Sequence, residues 1–239
     1  MLEVSIIPIL NDNYVFIIHN QTQAVVVDPG DPTPVLDFLR SKKLNLVAIF
    51  ITHHHPDHIG GIASILQNYN APVYCSLYDK KRIPQATRHL KEGDSLEYLD
   101  TTFDVLDIKG HTLGHIAYYS EANHWLFSGD TVFSLGCGRL FEGSHQEMWD
   151  SLQKIKNLPK DTLIYFTHEY TLTNLKFCKS LDTQTNWTQI ESDLTKKRTD
   201  GFPTTPTKLD LELQYNLFLK ANTPEDFKIV RQRKDQFNG

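Results

Sequence analysis

Cysteine is scarce in this chain: three thiols, Cys75, Cys137 and Cys178, in 239 residues, widely separated and with no CxxC spacing. That count excludes a disulfide framework and points to a reducing compartment, the cytoplasm. Positive charge is not in excess either, since 24 Lys and Arg against 29 Asp and Glu leave a formal net charge of −5. A dominant nucleic-acid partner is thereby excluded, because phosphate binding needs clustered cations. The short basic runs Lys196-Lys197-Arg198 and Arg231-Gln232-Arg233-Lys234 read as solvated helix faces, with room for a small anion at most. Long apolar runs are missing as well. No stretch approaches a membrane span, and Asn11-Asp12-Asn13 breaks the N-terminal apolar stretch, which no cationic segment precedes, so no signal peptide is expected. Neither a fixed-period repeat nor a low-complexity tract occurs. What is left is an ordinary globular composition, expected to act as a monomer, with enough chain to bury one large core or two unequal ones.

The first two-thirds reads as short strands with a few helices between them. Strands are expected at Val4–Ile9, Tyr14–Ile18, Ala24–Asp28, Leu46–Ile51, Val73–Ser76, Leu96–Leu99, Phe103–Ile108, Ile116–Ser120, Trp125–Ser128 and Leu163–Phe166. Leu46–Ile51 is almost unbroken apolar sequence, as a strand buried on both faces requires. Thr33-Pro34 is expected to start a helix through about Ser41, another should run from His58 to about Tyr69, and Ser144-x-x-Glu147 is a capping box opening a third through Leu158. After about Tyr170 the signal turns helical: Leu172–Ser180, Thr188–Arg198, Lys208–Leu219 and Pro224–Gln236, with 200–206 as a linker. A β-rich domain over 1–170 followed by a smaller helical domain over 171–239 is expected.

The chemistry concentrates in Thr52-His53-His54-His55-Pro56-Asp57-His58, four histidines and a carboxylate directly after a buried strand. Residues two apart in extended backbone point the same way, so His53 and His55 can converge on one ion. Pro56 bends the chain, so Asp57 and His58 can face a second. Gly60-Gly61 then allows close backbone approach beneath them. Three more loops, Gly110-His111-Thr112, Ser128-Gly129-Asp130-Thr131 and Thr167-His168-Glu169, each follow an expected strand. Strand ends of one sheet lie side by side, which groups His53, His55 and His111 around one metal and Asp57, His58 and His168 around another, with Asp130 bridging. Imidazole and carboxylate suit zinc first, with iron or manganese as alternatives, and the open positions left are those of a catalytic site. His54 points away from its neighbours in this arrangement, and His115 is left for a supporting role.

The ordered set THHHPDH, GHT, GDT and THEYT resembles the metallo-β-lactamase superfamily, an α+β, four-layered αββα sandwich with metals at one edge. Within it, Gly136–Gly143, His168-Glu169-Tyr170-Thr171 with Asn174, and Arg231-x-x-Lys234-Asp235-Gln236-Phe237 look like glyoxalase II, the hydroxyacylglutathione hydrolases. The likeness runs to Phe237. It implies that Arg139, Tyr170, Arg231 and Lys234 hold glutathione, with Phe141 and Asn174 alongside. Glutathione carries two carboxylates, which gives these cations a physical task. Leu113 stands where the family usually has Pro, Leu217 and Lys220 depart from an Asn-Pro-Phe-Leu-Arg segment, and 180–206 is compact.

The implied reaction is hydrolysis of a glutathione thioester, S-D-lactoylglutathione to D-lactate and glutathione, the last step of methylglyoxal detoxification. Two ions would activate a bridging water, with Asp57 and Asp130 as the catalytic carboxylates, Asp57 orienting the hydroxide. A persulfide dioxygenase of the same superfamily is the closest rival. It would use a single iron and would not need Asp57, His58 and His168 as a complete second set. A β-lactamase or nucleic-acid-processing hydrolase is a further alternative, and a non-catalytic metal-binding module is the alternative from another class.

Overall fold

The computed structural model describes residues 2–237, so residue 1 and residues 238–239, the outer ends of the two expected domains, lie outside the described residues. The chain opens with a hairpin of β1 (Glu3–Ile9) and β2 (Asn13–His19), in register Ile9 to Asn13. Every residue of β2 is buried. Val15 and Ile17 enter a core on one face, and Tyr14, Phe16 and Ile18 a core on the other. That two-sided burial is the alternation of a strand sandwiched between layers. Next come β3 (Gln23–Val27), antiparallel to β2, then α1 (Pro32–Lys42) and β4 (Asn45–Phe50), parallel to β3. The short helices α2 (Pro56–Ile59) and α3 (Ile62–Leu66) lead to β5 (Val73–Ser76) and β6 (Arg88–Leu90), which complete a six-stranded sheet in chain order.

The second sheet is a meander of β7 (Ser95–Tyr98), β8 (Thr101–Asp107), β9 (Ile116–Ser120) and β10 (Trp125–Gly129). After a small hairpin, β11 (Val132–Phe133) and β12 (Gly136–Cys137), and the helix α4 (His145–Lys156), β13 (Leu163–Phe166) joins β10 in parallel. Then follow α5 (Thr171–Leu181), α6 (Thr188–Thr199), β14 (Thr207–Lys208) on the outer edge of β13, α7 (Leu209–Tyr215) and α8 (Pro224–Asp235). Three buried clusters lie between these layers. One holds α1 and α3 against the first sheet, and one, with Phe50 stacked on Tyr118, lies between the sheets. The third joins α4 and the C-terminal helices to the outer face of the second sheet through Leu126, Leu152, Ile164, Phe177, Phe218 and Phe227. The expected αββα sandwich is therefore present.

Local readings differ in places. α1 is capped by Asp31, whose side chain accepts from Thr33 N, and Pro32 takes the first turn, two residues earlier than Thr33-Pro34 suggests. The helix expected from His58 to Tyr69 breaks into α2 and α3 at Gly60-Gly61. A Cβ on Gly61 would stand 2.5 Å from the Pro29 carbonyl oxygen, so the glycine lets the β3–α1 loop close beneath the histidines. The segment 200–206 is no free linker: Thr204 and Thr205 are buried, and Thr204 donates from backbone and hydroxyl to Glu169. The helix expected over Lys208–Leu219 stops at Tyr215, because Asn216 turns inward and donates to the Phe133 and Gly136 carbonyls. Strands β6, β11, β12 and β14 lack a sequence signal. The two departures beside Phe218 are absorbed: Leu217 packs on the Leu135–Trp187 cluster, and Lys220 lies 3.6 Å from Asp182.

All three cysteines are buried and free. Burial pushes the thiols up, Cys137 to about 11 and Cys75 and Cys178 to about 12. Among the described residues no helix is long and apolar enough to cross a membrane.

Candidate metal centre

The ends of β4, β10 and β13 and the loop after β8 meet at one edge of the sandwich and bring together all seven residues that spacing singles out. His53 Nε2 and His55 Nδ1 stand 3.0 Å apart, and His111 Nε2 is 3.0 Å from the same His55 nitrogen. On the other side His168 Nε2 lies 3.3 Å from Asp57 Oδ2, and His58 Nε2 lies 3.7 Å from it. Asp130 reaches both groups: Oδ2 is 3.4 Å from His111 and 3.2 Å from His168, and Oδ1 is 3.4 Å from His58. Nitrogen and oxygen ligands about 2.0–2.2 Å from a tetrahedral ion stand about 3.3–3.6 Å apart, so these spacings suit a shared ion. The buried Nε2 of His58 and Oδ1 of Asp130 have no hydrogen-bond partner. Buried polar atoms of this kind need one, and a cation supplies it. The donor set fits a metal.

A second layer aims these atoms. Asp28, at the end of β3, accepts from Thr52 N and Oγ1 and from His58 Nδ1, and the Thr52 hydroxyl lies 3.1 Å from His53 Nδ1. His111 Nδ1 donates to the Arg139 carbonyl at 2.7 Å, and His168 Nδ1 to Asp12 at 2.8 Å. Each contact fixes a tautomer and turns the opposite nitrogen inward. Gly129 places Asp130: its φ is +49°, and a Cβ there would lie 2.5 Å from Thr52 Oγ1. His115, buried and stacked on His53, accepts from Asp130 N through Nε2 at 3.1 Å, the supporting role left open for it. His54 faces away, toward Asp79, Arg82 and Glu142.

Electrostatics divides the centre. Burial holds His53, His55 and His111 below the ordinary histidine range, which keeps them neutral, the form a metal takes. For His58 burial acts the same way, but Asp130 and Asp28 carry it up to about 10. Burial of His168 is likewise outweighed, chiefly by Asp130, and its value rises to about 11. Burial opposes ionisation of Asp130, yet His168 and His58 hold it well below the carboxylate range. The half of the centre around Asp57, Asp130, Asp28 and Asp12 thus favours positive charge.

The expected recognition residues fall into two kinds. Arg139, Phe141 and Tyr170 are exposed at the mouth of the centre. Phe141 meets His55 and His111 edge-on, Arg139 lies over the Phe141 ring, and Tyr170 stacks on His168 with centroids 4.9 Å apart. Lys234 is half-buried over Phe177 and Phe237, and burial, with the neighbouring charge of Arg231, pulls its amine down to about 8. Arg231 and Asn174 point inward instead. Arg231 donates to the Cys137 carbonyl and pairs with Asp235, and Asn174 donates to the Ser134 carbonyl. Asp12, Asn13 and Asp28 also serve the centre, and no ligand spacing in the sequence marks them. A carboxylate closing the apolar strand β3 was an available signal for Asp28, whereas Asn11-Asp12-Asn13 carries only the mark of a turn.

Fold and site together define a metallohydrolase. The model of the metallo-beta-lactamase superfamily matches residues 9–168, and that of the hydroxyacylglutathione hydrolase C-terminus matches 169–237. The hydroxyacylglutathione hydrolase of Bdellovibrio bacteriovorus is 47% identical over 98% of this chain and 97% of its own length. Among solved structures, ETHE1 from Myxococcus xanthus has a TM-score of 0.72 at 23% identity, covering 97% of this chain and 90% of that one. TTHA1623 in a di-iron-bound form has a TM-score of 0.65 at 25% identity, covering 89% and 98%. This chain belongs to the metallo-β-lactamase superfamily and, within it, to the hydroxyacylglutathione hydrolase family.

Proposed function

We propose that the chain hydrolyses glutathione thioesters, S-D-lactoylglutathione among them, with two divalent ions, zinc first and iron or manganese as alternatives. The observation that carries this reading is the pair of ligand groups joined by Asp130, with atoms 3.0–3.7 Å apart. His53, His55 and His111 would hold one ion, Asp57, His58 and His168 the other, and Asp130 both. When bound, such ions lower the pKa of water and polarise a carbonyl. The chain's own residues do the rest. Asp57 and Asp130 set the orientation of the attacking water, while Arg139 and Lys234 pair with glutathione's carboxylates. Phe141 and Tyr170 flank the thioester. The water oxygen bonds to the thioester carbon, and the C–S bond breaks with the thiolate leaving unprotonated, so the reaction needs no general acid. The protons of the water go to solvent or to the departed thiolate. Arg231 and Asn174, by contrast, shape the wall of the site through Cys137 and Ser134.

Residues 171–239 would act as the substrate-binding part on the metal-binding part, 1–170. A complete second ligand set, Asp57, His58 and His168, favours this reading over a single-iron dioxygenase, and the di-iron form of TTHA1623 supports two ions. Three free, buried thiols suit a cytoplasmic enzyme, here taken as a monomer with no nucleic-acid or membrane partner. Elemental analysis of the purified protein alongside thioester hydrolysis tests the proposal: two equivalents per chain and turnover of S-D-lactoylglutathione are expected. One tightly held iron, unchanged by added zinc, with no thioesterase activity, would overturn it.

A further inference from the structure

The turn between β1 and β2 reaches across the molecule to one half of the metal centre only. Leu10 enters it with φ +51°, and Asp12 and Asn13 then face the loop that follows β13. Asp12 Oδ1 accepts from His168 Nδ1 at 2.8 Å, and its carbonyl accepts from Glu169 N at 2.8 Å. Asn13, 5% exposed, donates from Nδ2 to Asp57 Oδ2 at 2.8 Å, and that amide nitrogen lies 3.4 Å from His168 Nε2. Tyr14 N donates to the Thr167 carbonyl at 2.7 Å, and an isolated antiparallel bridge pairs Asn13 with His168. Two of the three residues in the second group, Asp57 and His168, are therefore gripped by consecutive side chains of one short turn. The supports given to the first group come from elsewhere: the Arg139 carbonyl for His111 and Thr52 for His53.

Asp28 offers a contrast. It is buried, it holds His58 directly, and it reaches His53 through Thr52, so it supports both groups. Asp12 is solvent-facing, with a side chain 41% exposed, and supports one. An exposed carboxylate on a hairpin tip is the weaker support, and replacing it leaves the packed layers untouched.

We propose that Asp12 and Asn13 are positioning residues that set the affinity of the second metal position independently of the first. This rests on the two-ion reading above. Asp12 fixes the ring of His168 and raises the basicity of its Nε2 by accepting from Nδ1. Asn13 holds Asp57 so that Oδ2 stays turned toward His58 and His168. The hairpin tip thus governs how often the centre carries its second ion.

The test is stepwise zinc binding to the full-length, metal-stripped protein, read by competition against a chromophoric chelator and by elemental analysis after desalting. Wild type is expected to take two equivalents. Asp12→Asn and Asn13→Ala should keep the first equivalent at wild-type affinity and weaken the second by about 10–100-fold, the range that support of a ligating histidine commonly carries. Asp28→Asn should weaken both. Equal weakening of both steps in Asp12→Asn would mean a general structural role, and an unchanged second step would mean no role; either overturns the proposal. Should wild type itself bind a single equivalent, the two-ion reading falls and this inference with it. Two equivalents in wild type with no selectivity in the turn variants overturns this inference alone.

Discussion

In the metal centre His53, His58, His111 and His168 each have their second ring nitrogen engaged, by Thr52, Asp28, the Arg139 carbonyl and Asp12. At the rim, Arg139, Phe141 and Tyr170 touch ring faces and edges and form no comparable network. The centre is held by loops leaving several strands, and each of these rings is tied at its far nitrogen. On the proposed function, chemistry that needs atoms fixed to a few tenths of an ångström falls to side chains held by such contacts, and recognition to side chains without them. Changes in the centre should therefore appear as lost metal and lost turnover, and changes at the rim as altered KM.

Asp130→Ala gives the largest expected effect. It removes the carboxylate that lies directly against ligands of both groups, so thioester turnover should vanish and metal content fall by elemental analysis. Two tightly held ions in that variant would show that the groups are not joined through Asp130.

Arg139→Ala and Lys234→Ala come next. Each should lower kcat/KM for a glutathione thioester by about 1–3 kcal/mol, mainly through KM, with metal content unchanged. A simple thioester without the tripeptide should be turned over poorly and be indifferent to both changes. Comparable losses on both substrates would place these cations in the centre's framework instead of its rim.

The sequence puts Arg231 beside Lys234 on one helix, and the structure separates them. Arg231→Ala leaves the Cys137 carbonyl without its donor and removes a cation from the Phe218 ring. Its cost should be read as stability, about 1–3 kcal/mol in urea unfolding. A raised KM at unchanged stability would return Arg231 to the rim.

The smallest expected effect is a pH dependence. Lys234 has its amine drawn down to about 8, so it is charged below that pH and loses its proton above it. The KM for a glutathione thioester should be flat at lower pH and rise as pH passes about 8. Lys234→Arg, which stays charged, should flatten the rise. A profile identical in both proteins would remove Lys234 from recognition.

The ligand set was legible because each member sits where an apolar strand gives way to a polar loop, as at Ile51-Thr52 and Phe166-Thr167. That boundary is a local signal, and convergence follows from sheet geometry. The short strands β6, β11, β12 and β14 were not legible, since two or three residues carry no period. The α2–α3 break was hidden because Ile59, Ile62 and Ile65 keep a helical spacing across Gly60-Gly61. Asp12 and Asn13 were invisible for a different reason: the residues that suit a tight turn are those that suit a hydrogen-bonded support, and only the partner, 156 and 44 positions away, distinguishes them. Burial of Arg231 could not be read from a helix whose polar residues outnumber its apolar ones.

The three buried cysteines have a consequence for an enzyme that releases a thiol. With thiols raised to about 11 or 12, their thiolate fraction near neutral pH is about one in ten thousand or less. Mixed-disulfide formation needs an accessible thiolate to attack the disulfide, and these buried thiols are poor nucleophiles toward glutathione disulfide. Turnover should then be insensitive to the redox poise of the glutathione pool into which the product is released.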